Sequence, residues 1–426
     1  MFAALHALVW CFALPAVYAV VTEAPAPSKV YAIVFPQYHS DPLNDKLWGA
    51  NYTDWSRLQK APKFNKLGQH IVRPTAEFGY YDLTQYDIRK KHATLAKEYD
   101  IDGFLYYHYW WNQQDPKVAL HTPLEKMLLD GEPDIPFAFI WVRAPWSCTW
   151  QGQGNDTRYK ANQMLVEVKC PPITDPIVTE HYEFLKRFFH HKNHILINGA
   201  PLFLLLDWKV NRQCDDIISH LRNLAIQDGF PAPGLHIARV KPLTKSEIYG
   251  PNYGKNVVSI DHDQLANAAI YYPYSDLNPN TPLRLPDYCF ENRKTPWKKT
   301  LYMTIMAAFD NTPRRKFKTA SIYKRNYTRH GPIKDFSYDF VQMMMYEQCC
   351  QDPVARGKGG EFVVINAWNE WGEGNVLEPT DITGYMYIKA VQKARHVVKR
   401  LRCDWDALKR YNAHYFDPVV AAEPVE

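Results

Sequence analysis

The chain carries almost no charge imbalance. Its 50 Lys and Arg residues stand against 45 Asp and Glu, a formal net charge of +5 over 426 residues. The basic pairs Lys90-Lys91 and Arg314-Arg315 are short and suit local contacts or solvent. The electrostatic footprint of a nucleic-acid partner is therefore missing. Glycine is sparse, at 19 residues, and no Gly-rich phosphate loop is evident. Asp-x-Asp occurs at Asp100-Ile-Asp102, Asp261-His-Asp263 and Asp404-Trp-Asp406, too often for the pattern to single out a metal-dependent sugar transfer site. Cysteine is scarce as well, at eight residues, and the spacings match no zinc pattern. His190, His191 and His194 sit on a Lys-rich helix end and point different ways. No metal or other cofactor is expected. No apolar run beyond the N-terminus is long enough to span a bilayer, and no solenoid repeat is visible.

What is present starts with an apolar segment at residues 2–21, with Val17-Tyr18-Ala19 offering the small residue that a cleavage point needs. Residues 1–21 read as a signal peptide or, at roughly 20 apolar residues, a signal anchor. A Pro/Ala linker follows at 22–29. Three glycosylation sequons begin at Asn51, Asn155 and Asn326. Together they predict a secreted or luminal protein of the secretory pathway, with no membrane contact beyond the possible anchor. Cys148 and Cys170 flank a polar loop and are the expected disulfide.

From residue 30 onward, apolar runs alternate with helical patterns. Runs at 31–35, 71–75, 102–109, 137–141, 201–206, 235–240, 257–260, 301–307 and 361–367 read as strands. Helical spacing covers 86–99, 120–129, 179–191, 215–227, 336–348 and 387–401. Runs apolar on both faces and separated by helices predict an α/β fold, a single (β/α)₈ barrel over residues 30–402. The Pro-rich stretch 241–299 reads as long loops over the barrel mouth, and 403–426 as a C-terminal tail.

Several of these runs end in polar and aromatic clusters. Tyr38 and His39 follow the first, Tyr107, His108 and Trp110 the next, then Trp141, Asp207, Asp310, and Asn369 with Trp371. Active sites of such barrels are built from the C-terminal strand ends, so these residues are the expected substrate contacts. Aromatics make up 14% of the chain, including 13 Trp and 28 Tyr. Aromatic faces stack on sugar rings, and the same composition fits a Tyr-rich core equally well.

The chemistry concentrates in Asn366-Ala-Trp-Asn-Glu-Trp-Gly-Glu-Gly-Asn-Val-Leu-Glu-Pro379. Glu370 and Glu373 stand three apart behind a buried strand, with Glu378 close by. On a continuing strand the pair would face opposite ways. Gly372 and Gly374 let the chain turn instead, and side chains three apart in a helical turn are neighbours. Two close carboxylates suit one glycosidic centre. Trp368 and Trp371 can desolvate one of them and keep it protonated. A carboxylate pair opening a helix is the competing reading.

This segment resembles the signature of the WbsX-like family and of its relative, glycoside hydrolase family 99, which includes endo-α-mannosidases. The resemblance runs through Phe35-Pro-Gln-Tyr-His39, Asn44-Asp45, Trp48-Gly49, Thr53-Asp-Trp55, Gly79-Tyr-Tyr-Asp82, Leu95-Ala-Lys-Glu-Tyr99, Asp102-Gly-Phe-Leu-Tyr-Tyr-His-Tyr-Trp110, Phe309-Asp-Asn311 and Pro313-Arg-Arg315. It implies a (β/α)₈ barrel acting on a glycan or polysaccharide without a metal. By position, Glu370 takes the role of the base on the sugar 2-hydroxyl, and Glu373 that of the acid/base on the leaving oxygen. The implied route passes through a 1,2-anhydro sugar, retains configuration and favours mannose-like sugars. One departure stands out. Where the family usually carries Ala-Asn-Glu after the strand at 137–141, this chain reads Val142-Arg143-Ala144. Arg143 fits either an anionic sugar substituent or a structural ion pair. A glycosyltransferase and a non-catalytic glycan-binding protein are the alternatives to a hydrolase.

Overall fold

The computed structural model describes residues 28–111, 117–148, 160, 163–167, 169–206, 214–241, 263–271, 298–315, 317–322, 332–408 and 410. The apolar runs form parallel strands: β1 (Lys29–Val34), β2 (Gly103–Trp110), β3 (Phe137–Val142), β4 (Ala200–Leu206), β5 (His236–Lys241) and β6 (Ala268–Tyr271). The expected run at 301–307 is broken at Met303 into two halves, Thr300–Tyr302 and Thr304–Met306, here together β7. The last strand is β8 (Phe362–Asn366). Each strand pairs in parallel with the next, from β2 through β6. The first half of β7 pairs with β6 and the second half with β8, while β1 lies between β8 and β2. The break in β7 thus lets one segment serve two neighbours, and the sheet curls round into a (β/α)₈ barrel.

Helices form the outer layer. α1 (Tyr86–Glu98) and α2 (Thr122–Asp130) follow β1 and β2. α3 (Pro176–Phe189) starts at Asp175, whose carboxylate accepts the Ile177 N–H, with Pro176 in the first turn where no N–H is needed. Its buried face, Ile177, Val178, His181, Tyr182, Leu185, Phe188 and Phe189, follows helical spacing. α4 (Asp215–Gln227), α5 (Pro332–Cys350) and α6 (Met386–Leu401) follow later in the chain. Inside the barrel, Phe362 stacks on Tyr302 at 3.9 Å and meets Tyr31 at 5.0 Å. Phe362 opens β8, and Tyr31 and Tyr302 are the third residues of β1 and β7, so this aromatic layer lies toward the N-terminal end, opposite the motif that follows β8.

Three expectations change. Residues 71–75 form no strand; Pro74 makes only an isolated bridge to Thr380. Cys148 and Cys170 are not a pair. Cys170 bonds Cys214, just before α4, with Cα atoms 5.1 Å apart, well inside disulfide reach. Cys148 is a buried free thiol whose Sγ lies 3.4 Å from the Lys160 carbonyl, because a short ribbon of Trp146–Ser147 with Met164–Val166 turns it inward. A second bridge, Cys349–Cys403, ties α5 to the chain beyond α6. The expected tail at 403–426 therefore begins packed, with Trp405 and Leu408 buried. Residues 1–21, most of the linker 22–29, the run 257–260, Asp207, Asn155 and Asn326 lie outside the described residues. Among the described residues no helix is long and apolar enough to cross a membrane.

Candidate active site

The motif is sewn to the C-terminal end of β1. Asn369 clamps the Phe35 backbone, accepting its N–H at 2.8 Å and donating to its carbonyl at 3.1 Å, and the Trp368 N–H donates to Ile33 O at 2.7 Å. Asn369–Glu370 then pairs antiparallel with Asn375–Val376, and Trp371–Glu373 forms one 3₁₀ turn between them. Gly374, at φ +57, closes that turn in a conformation where glycine is favoured. Glu370 and Glu373 thus leave the strand and sit on one tight loop at the barrel mouth. Glu370 is the more enclosed, its side chain 8% exposed against 16% for Glu373.

Both carboxylates meet Arg314, from the 3₁₀ turn Thr312–Arg314. Nη2 donates to Glu370 Oε2 and Nη1 to Glu373 Oε1, each at 3.0 Å. Nε and Nη2 also bind both oxygens of Asp54 at 3.1 Å. Asp54 is fully buried and accepts the Gly372 N–H at 2.9 Å. The Tyr38 hydroxyl donates to Asn369 O at 2.5 Å, accepts the Trp371 N–H at 3.0 Å and lies 3.1 Å from Asp54.

Burial pushes the Glu370 carboxyl up to about 8; Arg314 pulls against this, and Glu373 and Asp54 add to it. Burial also opposes the Arg314 charge, but Asp54, Glu370 and Glu373 outweigh it and hold the guanidinium ionised. Burial, then Asp54, raises the Tyr38 phenol well above its usual range. Close carboxylates of this kind titrate as a unit, one retaining a proton where the other has lost it.

The expected substrate contacts divide. Tyr107 reaches the site's floor, its ring 6.2 Å from Phe35, the ring that lies 5.1 Å under Arg314. Asp310 adjoins it: its N–H donates to Glu373 O at 2.6 Å, and its carboxylate takes Asn65 Nδ2 and the Thr312 N–H at 2.9 Å each. His108, Trp110 and Trp141 do not join the group. They lie on the strand face turned to α3: His108 Nε2 is 2.9 Å from His181 Nε2, Trp110 stacks on His181 at 4.6 Å, and Trp141 meets it edge-on at 4.7 Å. Burial lowers the His108 imidazole to about 3. His39 is buried with Nδ1 on the Pro36 carbonyl at 2.9 Å, and burial lowers its pKa.

Tyr38, Asn369, Trp371 and Glu378 are buried framework beneath the turn. Glu378 Oε2 accepts Trp371 Nε1 at 2.6 Å and the Tyr81 hydroxyl at 2.8 Å, while its Oε1 lies 2.9 Å from His92 Nε2. The Arg143 guanidinium stands 5.4 Å from the Trp141 ring centroid, and the Arg143 backbone N–H donates to Leu206 O. Asn51 is exposed.

Asp54 and Arg314 are the site residues that sequence reasoning missed. Both fall inside segments already singled out, Thr53-Asp-Trp55 and Pro313-Arg-Arg315, but a lone Asp and a basic pair are ordinarily solvated.

The Glycosyltransferase WbsX family pattern matches residues 30–391. WxcX proteins of two Xanthomonas campestris pv. campestris strains, described only as uncharacterised, are each 26% identical over 385 residues, covering 86% of this chain and 50% of theirs. The chain thus spans about half the length of these curated relatives. Among solved structures, a glycoside hydrolase-like protein superposes with a TM-score of 0.50 at 13% identity, covering 87% of this chain and 95% of the other. A family 99 endo-α-mannosidase of Bacteroides thetaiotaomicron gives 0.51 at 12% identity, covering 88% and 98%. Likeness at that identity concerns the barrel alone. The match over most of the chain identifies the family: the protein belongs to the Glycosyltransferase WbsX family.

Proposed function

We propose that the protein is a retaining glycoside hydrolase acting on mannose-like sugars, with Glu370 and Glu373 as its acid/base pair. The observation that carries this reading is the joint hold of one guanidinium on both carboxylates at the C-terminal end of the barrel, where such enzymes react. Carboxylates on adjacent nitrogens of one fork fit the close pairing of retaining glycosidases.

Glu370 takes the proton of the substrate 2-hydroxyl, whose oxygen attacks C1. The C1–O bond to the leaving sugar breaks as Glu373 gives that oxygen its proton. Water then opens the 1,2-anhydro ring at C1, losing a proton to Glu373, while Glu370 returns its proton to O2. Two inversions leave the anomeric configuration unchanged. Both steps need one proton on the pair.

That requirement fixes a pH dependence. Burial raises Glu370 to about 8, so below that pH the free pair rests with its last proton on Glu370; the reactive form has that proton on Glu373, and the pair loses it as a unit above about 8. The profile of kcat/KM should be bell-shaped, with an alkaline limb near pH 8. A profile flat to well beyond that limb would mean that no such proton takes part.

The deciding experiment is a glycan panel incubated with the purified protein, with the product anomer followed by NMR. Release of a sugar with retained configuration supports the reading. Turnover that demands a nucleotide sugar and a divalent metal would replace it with the glycosyl transfer that the family name carries.

The proposed setting is the secretory pathway. Disulfides Cys170–Cys214 and Cys349–Cys403 suit an oxidising compartment, and Asn51 is exposed for glycosylation. Enzymatic removal of N-glycans from protein made in its native cells should increase its gel mobility. An unshifted band with residues 1–20 retained would place it elsewhere.

A further inference from the structure

Three barrel-mouth segments meet at Arg314. Asp54 comes from the stretch after β1, Arg314 from the stretch after β7, and the two glutamates from the turn after β8. Every nitrogen of the fork is engaged: Nε on Asp54, Nη2 on Asp54 and Glu370, Nη1 on Glu373. Asp54 is itself tied to the turn through Gly372 N–H. A Cβ on Gly372 would fall 2.3 Å from Arg314 Nε and 2.6 Å from Asp54 Oδ2, so the turn approaches the ion pair as only glycine allows. Phe35 lies beneath the guanidinium.

Proton release on its own does not need an arginine here. Three carboxylates facing one cation still leave the cluster net negative, so the cation decides how the remaining proton is shared. Glu370 faces Arg314, Glu373, Asp54 and the Tyr38 hydroxyl. Of these, Arg314 alone favours the ionised form. A planar fork also sets geometry, because two nitrogens at a fixed spacing each fix one carboxylate oxygen.

We propose that Arg314 is a positioning residue for the Glu370–Glu373 pair: anchored on Asp54, its fork fixes the two carboxylates relative to each other and governs their proton occupancy, and Gly372 leaves the room it needs. This rests on the acid/base reading of the pair.

The test compares Arg314→Gln and Arg314→Lys with the full wild-type chain. The Glu370 carboxyl is titrated by NMR of isotope-labelled glutamate and assigned by its loss in Glu370→Gln, a readout that needs no substrate. Losing a cation this close should move the titration upward by roughly 1–3 pH units in Arg314→Gln. The alkaline limb of kcat/KM should move the same way. Arg314→Lys keeps a charge against the buried carboxylates but loses the fork. It should titrate near wild type and lose roughly 10²-fold in kcat with KM little changed, as a misplaced catalytic group does. Folded Arg314→Gln protein with Glu370 titrating as in wild type would overturn the proposal, as would Arg314→Lys with full kcat. If Arg314→Gln does not fold, Arg314→Lys decides alone. A wild-type protein that cleaves no glycan, yet whose Glu370 responds to Arg314, would remove the hydrolase reading and keep the clamp.

Discussion

Glu370→Gln and Glu373→Gln should each lower turnover by at least about 10²–10⁴-fold, the usual contribution of a positioned general acid or base. Glutamine keeps the shape of the side chain and a carbonyl oxygen for the Arg314 nitrogens, so the turn and the clamp are retained. What is lost is the exchangeable proton. The two variants part on leaving-group dependence. A sugar carrying a very good leaving group departs without protonation, so Glu373→Gln is partly spared on aryl substrates, although its role in the water step is still lost. Attack by the 2-hydroxyl still needs its proton removed, so Glu370→Gln does not recover. Steady-state kinetics on a glycan and an aryl glycoside, with thermal melts to verify folding, read the difference. Near-normal turnover in both variants would make the pair structural.

Much of the fold was legible because the physics is local. Runs such as Phe137–Val142 are apolar on both faces, which only a strand sandwiched between interior and helices requires. The same property hid the direction of each side chain. Every residue of β2 is buried, so the sequence could not say that Tyr107 faces the interior while His108 and Trp110 face α3. A shift of one residue exchanges the two sets. Glu370 and Glu373 stood out because two glycines and two carboxylates crowd one short segment, but a carboxylate pair opening a helix fitted that spacing equally, and the family resemblance chose between the two. Arg314 and Asp54 were not, since 260 residues separate them and nothing in either neighbourhood names the other. The Cys148–Cys170 expectation failed for a related reason: nearness in sequence is a poor guide to the Cα distance a disulfide needs.

Glu378→Ala should destabilise the fold by about 3–5 kcal/mol, the cost of removing one partner from a buried ionic or hydrogen-bonded group. Read from sequence, Glu378 belongs with the substrate contacts. Its surroundings point to framework instead. The carboxylate is fully enclosed, holds Trp371 Nε1 and the Tyr81 hydroxyl on one oxygen, and meets His92 with the other. Removing it strands a Trp donor and a Tyr hydroxyl in the dry layer beneath the Trp371–Glu373 turn. Trp371 starts the 3₁₀ turn that carries Glu373, so loosening its indole also loosens the pair. Denaturant unfolding should show the lower midpoint with an unchanged slope. Glu378→Gln keeps one acceptor and should lose less. Activity at low temperature, where the variant stays folded, should fall through kcat with KM little changed, because the Glu378 side chain is fully enclosed beneath the turn. A variant of wild-type stability whose KM rises sharply would return Glu378 to the binding surface.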